Sequence, residues 1–117
     1  MPRKFIKSVG HALYGLRLAW SGRNFRIHVL AFIALVIFLD YFKFTYLEST
    51  ILLTLALLVL MSEIFNSALE HLLDVLEPEH HPAVGRIKDM AAGAVLLVSI
   101  GALLIFICIA LHHFGIL

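Results

Sequence analysis

The 117-residue chain has one cysteine, three prolines and few charged residues, and two of these shortages exclude whole classes of protein. Because Cys108 stands alone, no disulfide can form within the chain, which excludes a small disulfide-stapled domain. Charged residues make up 15% of the chain and hydrophobic residues 62%. That balance leaves too little polar surface to cover a water-soluble domain of this size. The composition therefore indicates a membrane protein.

Positive charge is concentrated before the first apolar run instead of forming one strongly basic surface. The basic residues of this region are Arg3, Lys4, Lys7, Arg17, Arg23 and Arg26. This distribution does not resemble a nucleic-acid-binding patch, so we expect no nucleic-acid partner. It does not resemble a cleavable signal either, because the apolar run that follows is long and no small-residue cleavage site ends it.

Three apolar segments predict three transmembrane helices, at about residues 27–42, 49–76 and 90–111. At 1.5 Å per residue, the second is about 42 Å long and exceeds a hydrocarbon core of about 30 Å, so its polar end should reach one interface. Glu77-Pro78 should stop it. The third segment has no charged residue from 91 to 111 and small residues suited to close helix contact.

Residues 3–20 predict an amphipathic helix that lies on the membrane surface. Its apolar residues recur at the helical spacing of three or four: Phe5, Val9, Leu13, Leu16 and Trp20. We therefore expect one all-α membrane domain over residues 1–117, with three transmembrane helices and this surface helix.

The distribution of basic residues predicts the orientation. The connection after the second apolar segment, residues 77–89, has Arg86 and Lys88, whereas the turn after the first has only Lys43. Cytoplasmic segments are enriched in Lys and Arg. We therefore expect the N-terminus and residues 77–89 at the cytoplasmic face of the cell inner membrane.

Five polar residues share one stripe of the second helix. At 100° per residue, the stripe covers about a third of the helix circumference; its members are Glu63, Asn66, Ser67, Glu70 and Asp74. An ionisable group inside a membrane helix costs roughly 2.5–3.5 kcal/mol on insertion scales. Three carboxylates on one face are not explained by packing alone, so the stripe is a candidate functional site.

A basic residue should lie beside this stripe. A short connection makes the second and third helices antiparallel neighbours, which would return Lys88 and Asp89 to the level of Glu70 and Asp74. Carboxylates hold Mg²⁺ together with phosphate oxygens, and Lys neutralises phosphate charge. A further carboxylate can accept the proton of an attacking hydroxyl. The chemistry suits phosphoryl transfer, although neither a Walker A sequence nor a Gly-rich kinase loop is present.

The residues of this region also resemble a known family. Residues 63–70, Asp74 and residues 85–91 resemble the signature of the small prokaryotic integral-membrane lipid kinases, which comprise diacylglycerol kinase and undecaprenol kinase. Residues 10–20 resemble the surface helix of that family. The resemblance implies a homotrimer of three-helix protomers with active sites between them. It also implies phosphorylation of a lipid hydroxyl by ATP with Mg²⁺.

By motif position, the resemblance assigns roles to residues of the stripe. Glu63 resembles the catalytic base, and Asn66 resembles its neighbour in the site. Glu70 resembles a metal-binding carboxylate. The family usually has a second metal-binding Glu at the position that is Gly22 here, a departure that bears on how the metal is held.

The same resemblance assigns the nucleotide contacts. Lys88 and Asp89 resemble the residues that contact the phosphates of ATP. Glu79, His80 and His81 match a loop stretch that contacts ATP. Residues 80–81 and 112–113 are pairs of adjacent histidines, which point to different sides of a helix, so we expect interfacial or solvated side chains instead of metal ligands.

The two lipid substrates of the family remain alternatives. Residues 24–28 (Asn-Phe-Arg-Ile-His) and 91–95 are similar to the undecaprenol kinase branch, whereas residues 39–40 and 88–90 resemble the diacylglycerol kinase branch. We expect undecaprenol as the substrate, with diacylglycerol as the alternative.

Two other classes of function compete with a kinase. A small proton-coupled transporter would use an intramembrane Glu, but it predicts a carboxylate near the bilayer midplane and typically four helices. A non-enzymatic membrane subunit would leave the polar stripe unexplained.

Overall fold

The computed structural model describes all 117 residues as four α-helices without a strand. The helices are α1 (Pro2–Trp20), α2 (Arg23–Tyr41), α3 (Tyr46–Leu76) and α4 (Pro82–His113). The last three are long and apolar enough to cross a membrane. The predicted all-α class, with three membrane-compatible helices after an N-terminal helix, is confirmed.

Two membrane helices begin earlier than the apolar segments suggested. α2 begins at Arg23 instead of residue 27, and α3 begins at Tyr46 instead of residue 49. Thr45 forms a capping box with Glu48, in which each side chain bonds the backbone N–H of the other residue. Hydropathy did not reveal these first turns, because polar residues are compatible with a helix wherever it leaves the hydrocarbon core.

The predicted connection over residues 77–89 is wrong, because α4 begins at Pro82. Only residues 77–81 connect α3 to α4. Pro82 occupies the first helical position, which suits its fixed φ angle, and the His81 side chain accepts a hydrogen bond from Ala83 N at 3.1 Å. Lys88 and Asp89 therefore lie on α4 itself.

α1 has no buried residue and follows its predicted bounds closely. The apolar residues of its predicted membrane-facing side, from Phe5 to Trp20, are exposed within this chain. An uncovered apolar face opposite basic residues is typical of a helix that lies in a membrane interface.

α3 is the central helix of the fold and packs against both α2 and α4. Lys88 pairs with Asp74 near one end of the α3–α4 contact, and His113 pairs with Glu48 near the other, so these helices are antiparallel. We call the part of the bundle that holds residues 63–88 the site end. We call the opposite end, which holds the α2–α3 turn and the C-terminus of α4, the turn end.

Little of this chain is buried inside itself. Eight of the 117 residues are buried, and the one hydrophobic core cluster comprises Leu39, Phe44 and Leu52 at the turn end. The remaining apolar surface of the three long helices is left for lipid or for other protein chains.

Candidate active site

The polar stripe of α3 runs from a buried to an exposed environment. Glu63 is 5% exposed and Asn66 is 9% exposed, and they are the two buried polar residues of the chain. Ser67 and Glu70 are half-buried, and the Asp74 side chain is 64% exposed. The stripe therefore starts inside the helix packing and ends at the site end.

Asn66 links the buried and exposed parts of the stripe. Its Nδ2 donates to Glu70 Oε1 at 3.4 Å, whereas its Oδ1 is buried without a hydrogen-bond partner. A buried unpaired polar atom costs about 1–3 kcal/mol, so such an atom calls for an explanation. An oxygen acceptor left free beside a carboxylate is suited to a cation or a hydrogen-bond donor.

Glu63 has no cation at ion-pair distance. The chain contains three side-chain ion pairs, and their carboxylates are Asp40, Asp74 and Glu48. A buried carboxylate that is not held by a cation is available for proton transfer.

Lys88 reaches the stripe as the antiparallel packing of α3 and α4 predicted. Its Nζ lies 2.6 Å from Asp74 Oδ1, across the last turns of α3 and the first turns of α4. The Lys88 side chain is 34% exposed, so the ammonium is also accessible from outside the pair. Asp89, the next residue, is exposed and takes no part in an ion pair.

The loop residues with predicted ATP contacts stay apart from the stripe. Glu79, His80 and His81 are exposed in the connection before α4. The His81 ring caps α4 through its hydrogen bond with Ala83 N. Within one chain, the structure brings together Glu63, Asn66, Glu70, Asp74 and Lys88, but not these three loop residues.

Sequence reasoning assigned no role to His28, which lies on the face of α2 that meets α3. His28 is half-buried and is the one polar residue in the lining of an apolar groove whose other residues include Val59, one helical turn from Glu63. The spacing of Phe25 and His28 on one helix face was visible in the sequence. Which face of α2 would meet α3 was not.

A divalent metal would find oxygen ligands at Glu70 and at the free Asn66 Oδ1, which is the donor chemistry that Mg²⁺ prefers. No group of three or more His, Cys, Asp or Glu side chains lies close enough to hold a metal by itself. Gly22, at the position of the family's second metal-binding Glu, caps α2 in an extended conformation, with φ −78° and ψ 130°.

Comparison with known proteins agrees with this arrangement. A family model described as prokaryotic diacylglycerol kinase matches residues 10–110. The chain belongs to this family. The match includes the whole stripe on α3, Lys88 and Asp89, and the last half of α1.

Members of the prokaryotic diacylglycerol kinase family with two different names resemble the chain. A diacylglycerol kinase of Escherichia coli K12 is 33% identical over 113 residues, which cover 96% of this chain and 93% of the relative. An undecaprenol kinase of Bacillus subtilis strain 168 is 34% identical over 98 residues, which cover 83% of this chain and 80% of the relative. A diacylglycerol kinase of Synechocystis is 32% identical over 108 residues.

Membership of the prokaryotic diacylglycerol kinase family identifies the enzyme class. The chain is a membrane lipid kinase, which confirms the predicted reaction class and sets aside the transporter and the non-enzymatic subunit. ATP is the phosphoryl donor that a kinase family implies.

Proposed function

We propose that the protein phosphorylates the hydroxyl of undecaprenol with ATP, giving undecaprenyl phosphate, with diacylglycerol as the alternative substrate. The observation that supports this reaction best is Glu63, a buried carboxylate without an ion pair on a membrane-spanning helix. A lipid hydroxyl inside the membrane can meet this group.

Glu63 acts as the general base. The hydroxyl oxygen attacks the γ-phosphorus, its proton moves to the Glu63 carboxylate, and the bond to the β–γ bridging oxygen breaks to release ADP. Asn66, one helical turn away and also buried, orients the reacting groups through its amide.

The nucleotide lies at the site end. Glu70 would hold Mg²⁺, which would supply charge neutralisation for the phosphates. Lys88 and Asp89 contact the phosphate region, and the exposed loop residues Glu79, His80 and His81 contact ATP from the aqueous side. The half-exposed Lys88 ammonium beside Asp74 supports this assignment, because it can turn to a phosphate without leaving a fully buried pair.

The active enzyme is a homotrimer whose sites form between protomers. Two observations support this assembly: the predicted ATP-contacting loop does not bond to the stripe of its own chain, and little of the apolar helix surface is covered within one chain. The protein lies in the cell inner membrane, with its N-terminus and residues 77–81 in the cytoplasm, where ATP is available. Arg3, Lys4 and Lys7 on α1 support this orientation.

Undecaprenol is the preferred substrate because of residues 24–28. Their resemblance to the undecaprenol kinase branch is supported by the position of His28 of this motif, which lines an apolar groove between the membrane helices. The curated relatives include both kinds of kinase at similar identity, 33% and 34%.

Purified protein in detergent tests the proposal directly. It is incubated with γ-labelled ATP and Mg²⁺, together with undecaprenol, diacylglycerol or no lipid, and labelled lipid is separated and counted. We expect label in both lipid reactions, with the higher rate for undecaprenol. A higher rate for diacylglycerol would reverse the substrate choice, and no labelled lipid in either reaction would contradict the function.

A further inference from the structure

A shallow groove of about 230 Å³ lies between α2 and α3 at the turn end, opposite to the end that holds the polar stripe. Four of its seven lining residues are hydrophobic and three are polar: Val36, Leu39, Phe44 and Leu53 against Asp40, Lys43 and Ser49. The volume is below the range of about 300–1,000 Å³ that is typical of sites enclosing a whole small molecule. The groove therefore suits a ligand of which only one part lies against the protein.

Two tyrosines indicate the depth of this groove in the membrane. Tyr41 ends α2 and Tyr46 begins α3, and both side chains are exposed. Tyrosine is enriched where a transmembrane helix passes from hydrocarbon to headgroups. Asp40 and Lys43 belong to the same turn and are exposed as well, whereas Val36 lies farther back along the apolar part of α2. The polar part of the groove is therefore at headgroup level, and its apolar part is at the level of acyl chains.

Lys43 holds a backbone conformation that favours glycine. Its φ of 55° makes it the one non-glycine residue of the chain with a positive φ. Lys43 N donates to the Asp40 carbonyl oxygen at 3.2 Å, and Phe44 N donates to that of Leu39 at 3.0 Å. These two bonds form a Schellman motif, in which glycine usually occupies the left-handed position. Residues held in such conformations cluster at functional sites, so the Lys43 side chain calls for an explanation beyond the turn itself.

The polar part of the groove presents both signs of charge. Lys43 Nζ lies 3.7 Å from Asp40 Oδ1, and both side chains are mostly exposed. An exposed ion pair at this separation contributes little to stability, so either group can turn to a ligand at small cost. Ser49 adds a hydroxyl to the same lining. A ligand that carries one negative and one positive group would match this arrangement better than a ligand of single charge.

We propose that this groove binds a zwitterionic phospholipid with a primary ammonium, of the phosphatidylethanolamine class, in the membrane leaflet at the turn end. The Lys43 ammonium and the Ser49 hydroxyl donate to the phosphate, and the Asp40 carboxylate accepts from the lipid ammonium. The start of one acyl chain lies along Val36 and Leu53, and the rest of the lipid stays in the bilayer. This site is separate from the proposed reaction and does not depend on it.

Lys43→Gly separates the backbone of this turn from its charge. In detergent without phospholipid, the variant should have a Tm about 2–5 °C above the wild type, because glycine accepts the left-handed conformation. Added palmitoyl-oleoyl-phosphatidylethanolamine should raise the wild-type Tm by at least about 3 °C and that of the variant by less than about 1 °C, because a ligand stabilises the state that binds it. An equal gain in both proteins would overturn the inference.

The headgroup is tested by changing the lipid and the carboxylate. The wild type should need about 3–10-fold less phosphatidylethanolamine than phosphatidylglycerol for the same Tm gain, since the latter lacks an ammonium. Asp40→Asn should abolish this preference, and Glu77→Gln, which removes an exposed carboxylate at the site end, should keep it. Equal stabilisation by the two lipids would overturn the zwitterionic ligand. Equal stabilisation by phosphoethanolamine without acyl chains would show a site for a soluble phosphate and would overturn the lipid.

Two neighbouring residues of α2 test the apolar part of the groove. Val36 lines it, whereas Ile37 is exposed outside it. Native mass spectrometry then counts the phosphatidylethanolamine molecules that stay bound to each chain. The wild type and Ile37→Phe should retain one molecule that Val36→Phe loses, because the larger ring fills the groove. If Val36→Phe keeps the lipid, or separates the solubilised oligomer without changing the lipid count, the groove does not hold an acyl chain and the inference is wrong.

Discussion

At the turn end, the half-buried polar groups bond to one another within the chain, whereas at the site end a buried carboxylate and a buried amide oxygen have no such partner. His113 Nδ1 lies 3.0 Å from Glu48 Oε2, and His113 Nε2 lies 3.0 Å from the Phe42 carbonyl oxygen. The His113 ring also stacks on Phe44, with centroids 3.9 Å apart and planes 10° from parallel. Glu48 caps α3 through Thr45 as well. These contacts therefore join the end of α2, the start of α3 and the end of α4 to one another.

At the site end, buried polar groups lack partners within the chain. Asn66 Oδ1 is buried without a partner, and Glu63 is buried without an ion pair. The one close ion pair of this end, Lys88–Asp74, is partly exposed. Within one chain, the polar groups that hold the helices together therefore have hydrogen-bond partners. The polar groups that we propose receive substrate, metal and nucleotide do not.

The largest effect should come from Glu63. Glu63→Gln keeps the shape of the side chain but removes the proton acceptor, so lipid phosphorylation should fall about 10²–10⁴-fold. Helix content and Tm should not fall, because the neutral amide is easier to bury than a carboxylate. Rates are measured with saturating ATP and undecaprenol.

The matched control for that substitution is Glu77→Gln, since Glu77 is exposed at the end of α3. It should retain the wild-type rate. Turnover in Glu63→Gln equal to that of this control would remove Glu63 from the mechanism.

The second effect concerns stability at the turn end. His113→Ala removes one partner of the Glu48 carboxylate and the stack on Phe44, so it should lower the Tm measurably. The rate per folded enzyme should stay unchanged, because this cluster lies at the end opposite to the stripe. The measurements are thermal unfolding in detergent and kcat at a temperature where the variant is folded.

His112→Ala is the control for the turn end, because His112 is exposed and its side chain forms no bond within the chain. It should match the wild type in Tm. A Tm loss as large in His112→Ala as in His113→Ala would mean that the His113 bonds do not stabilise the turn end.

A smaller effect is expected at the metal-binding carboxylate. Glu70→Ala should raise the Mg²⁺ concentration for half-maximal rate by about tenfold, since a hard cation loses one oxygen ligand. The full Mg²⁺ titration is repeated with Glu70→Asp, which keeps a carboxylate. The titration curve of this variant should lie between those of the wild type and Glu70→Ala. If the Mg²⁺ dependence is unchanged and only Tm falls, Glu70 is structural.

The smallest effect should come from restoring the missing carboxylate. A Cβ at position 22 would lie 3.3 Å from the Ala19 carbonyl oxygen, and the φ of −78° is open to any residue, so Gly22→Glu needs only a small adjustment. If the position faces the metal, the added ligand should lower the Mg²⁺ requirement a few-fold. Gly22→Gln has the same size without the charge and should leave it unchanged. Identical Mg²⁺ titrations of folded, active Glu and Gln variants would mean that residue 22 does not face the metal.

The structure also corrects the prediction for the second histidine pair. Both histidines of residues 112–113 were predicted to be interfacial or solvated, but the His113 side chain is 17% exposed and bonded on both ring nitrogens. Nothing in the local sequence indicates this, because its partners Glu48 and Phe42 are more than 60 residues away. Pairing across the bundle is set by helix register, which the sequence pattern near position 113 does not contain.

Local sequence patterns were sufficient to predict the helices, the membrane environment and the polar stripe. These follow from local regularities: apolar runs long enough to span lipid, the 3.6-residue period of α1, and carboxylates spaced by three and four residues on α3. The sequence also predicted the approach of Lys88 to Asp74, because a short connection forces α3 and α4 to be antiparallel. Its errors were at helix starts, where capping by His81 and Thr45 extends helices beyond the apolar residues.

Helix packing sets which polar atoms have hydrogen-bond partners and which face of α2 meets α3. Those features depend on the rotation of each helix about its axis, which hydrophobic helices in lipid do not fix by hydropathy, since lipid and neighbouring helices are similarly apolar. Packing placed His28 in the apolar groove between the helices, left Asn66 Oδ1 free and joined His113 to Glu48. The pattern of residues placed the chemistry on one stripe, and the packing of three helices determined what can reach it.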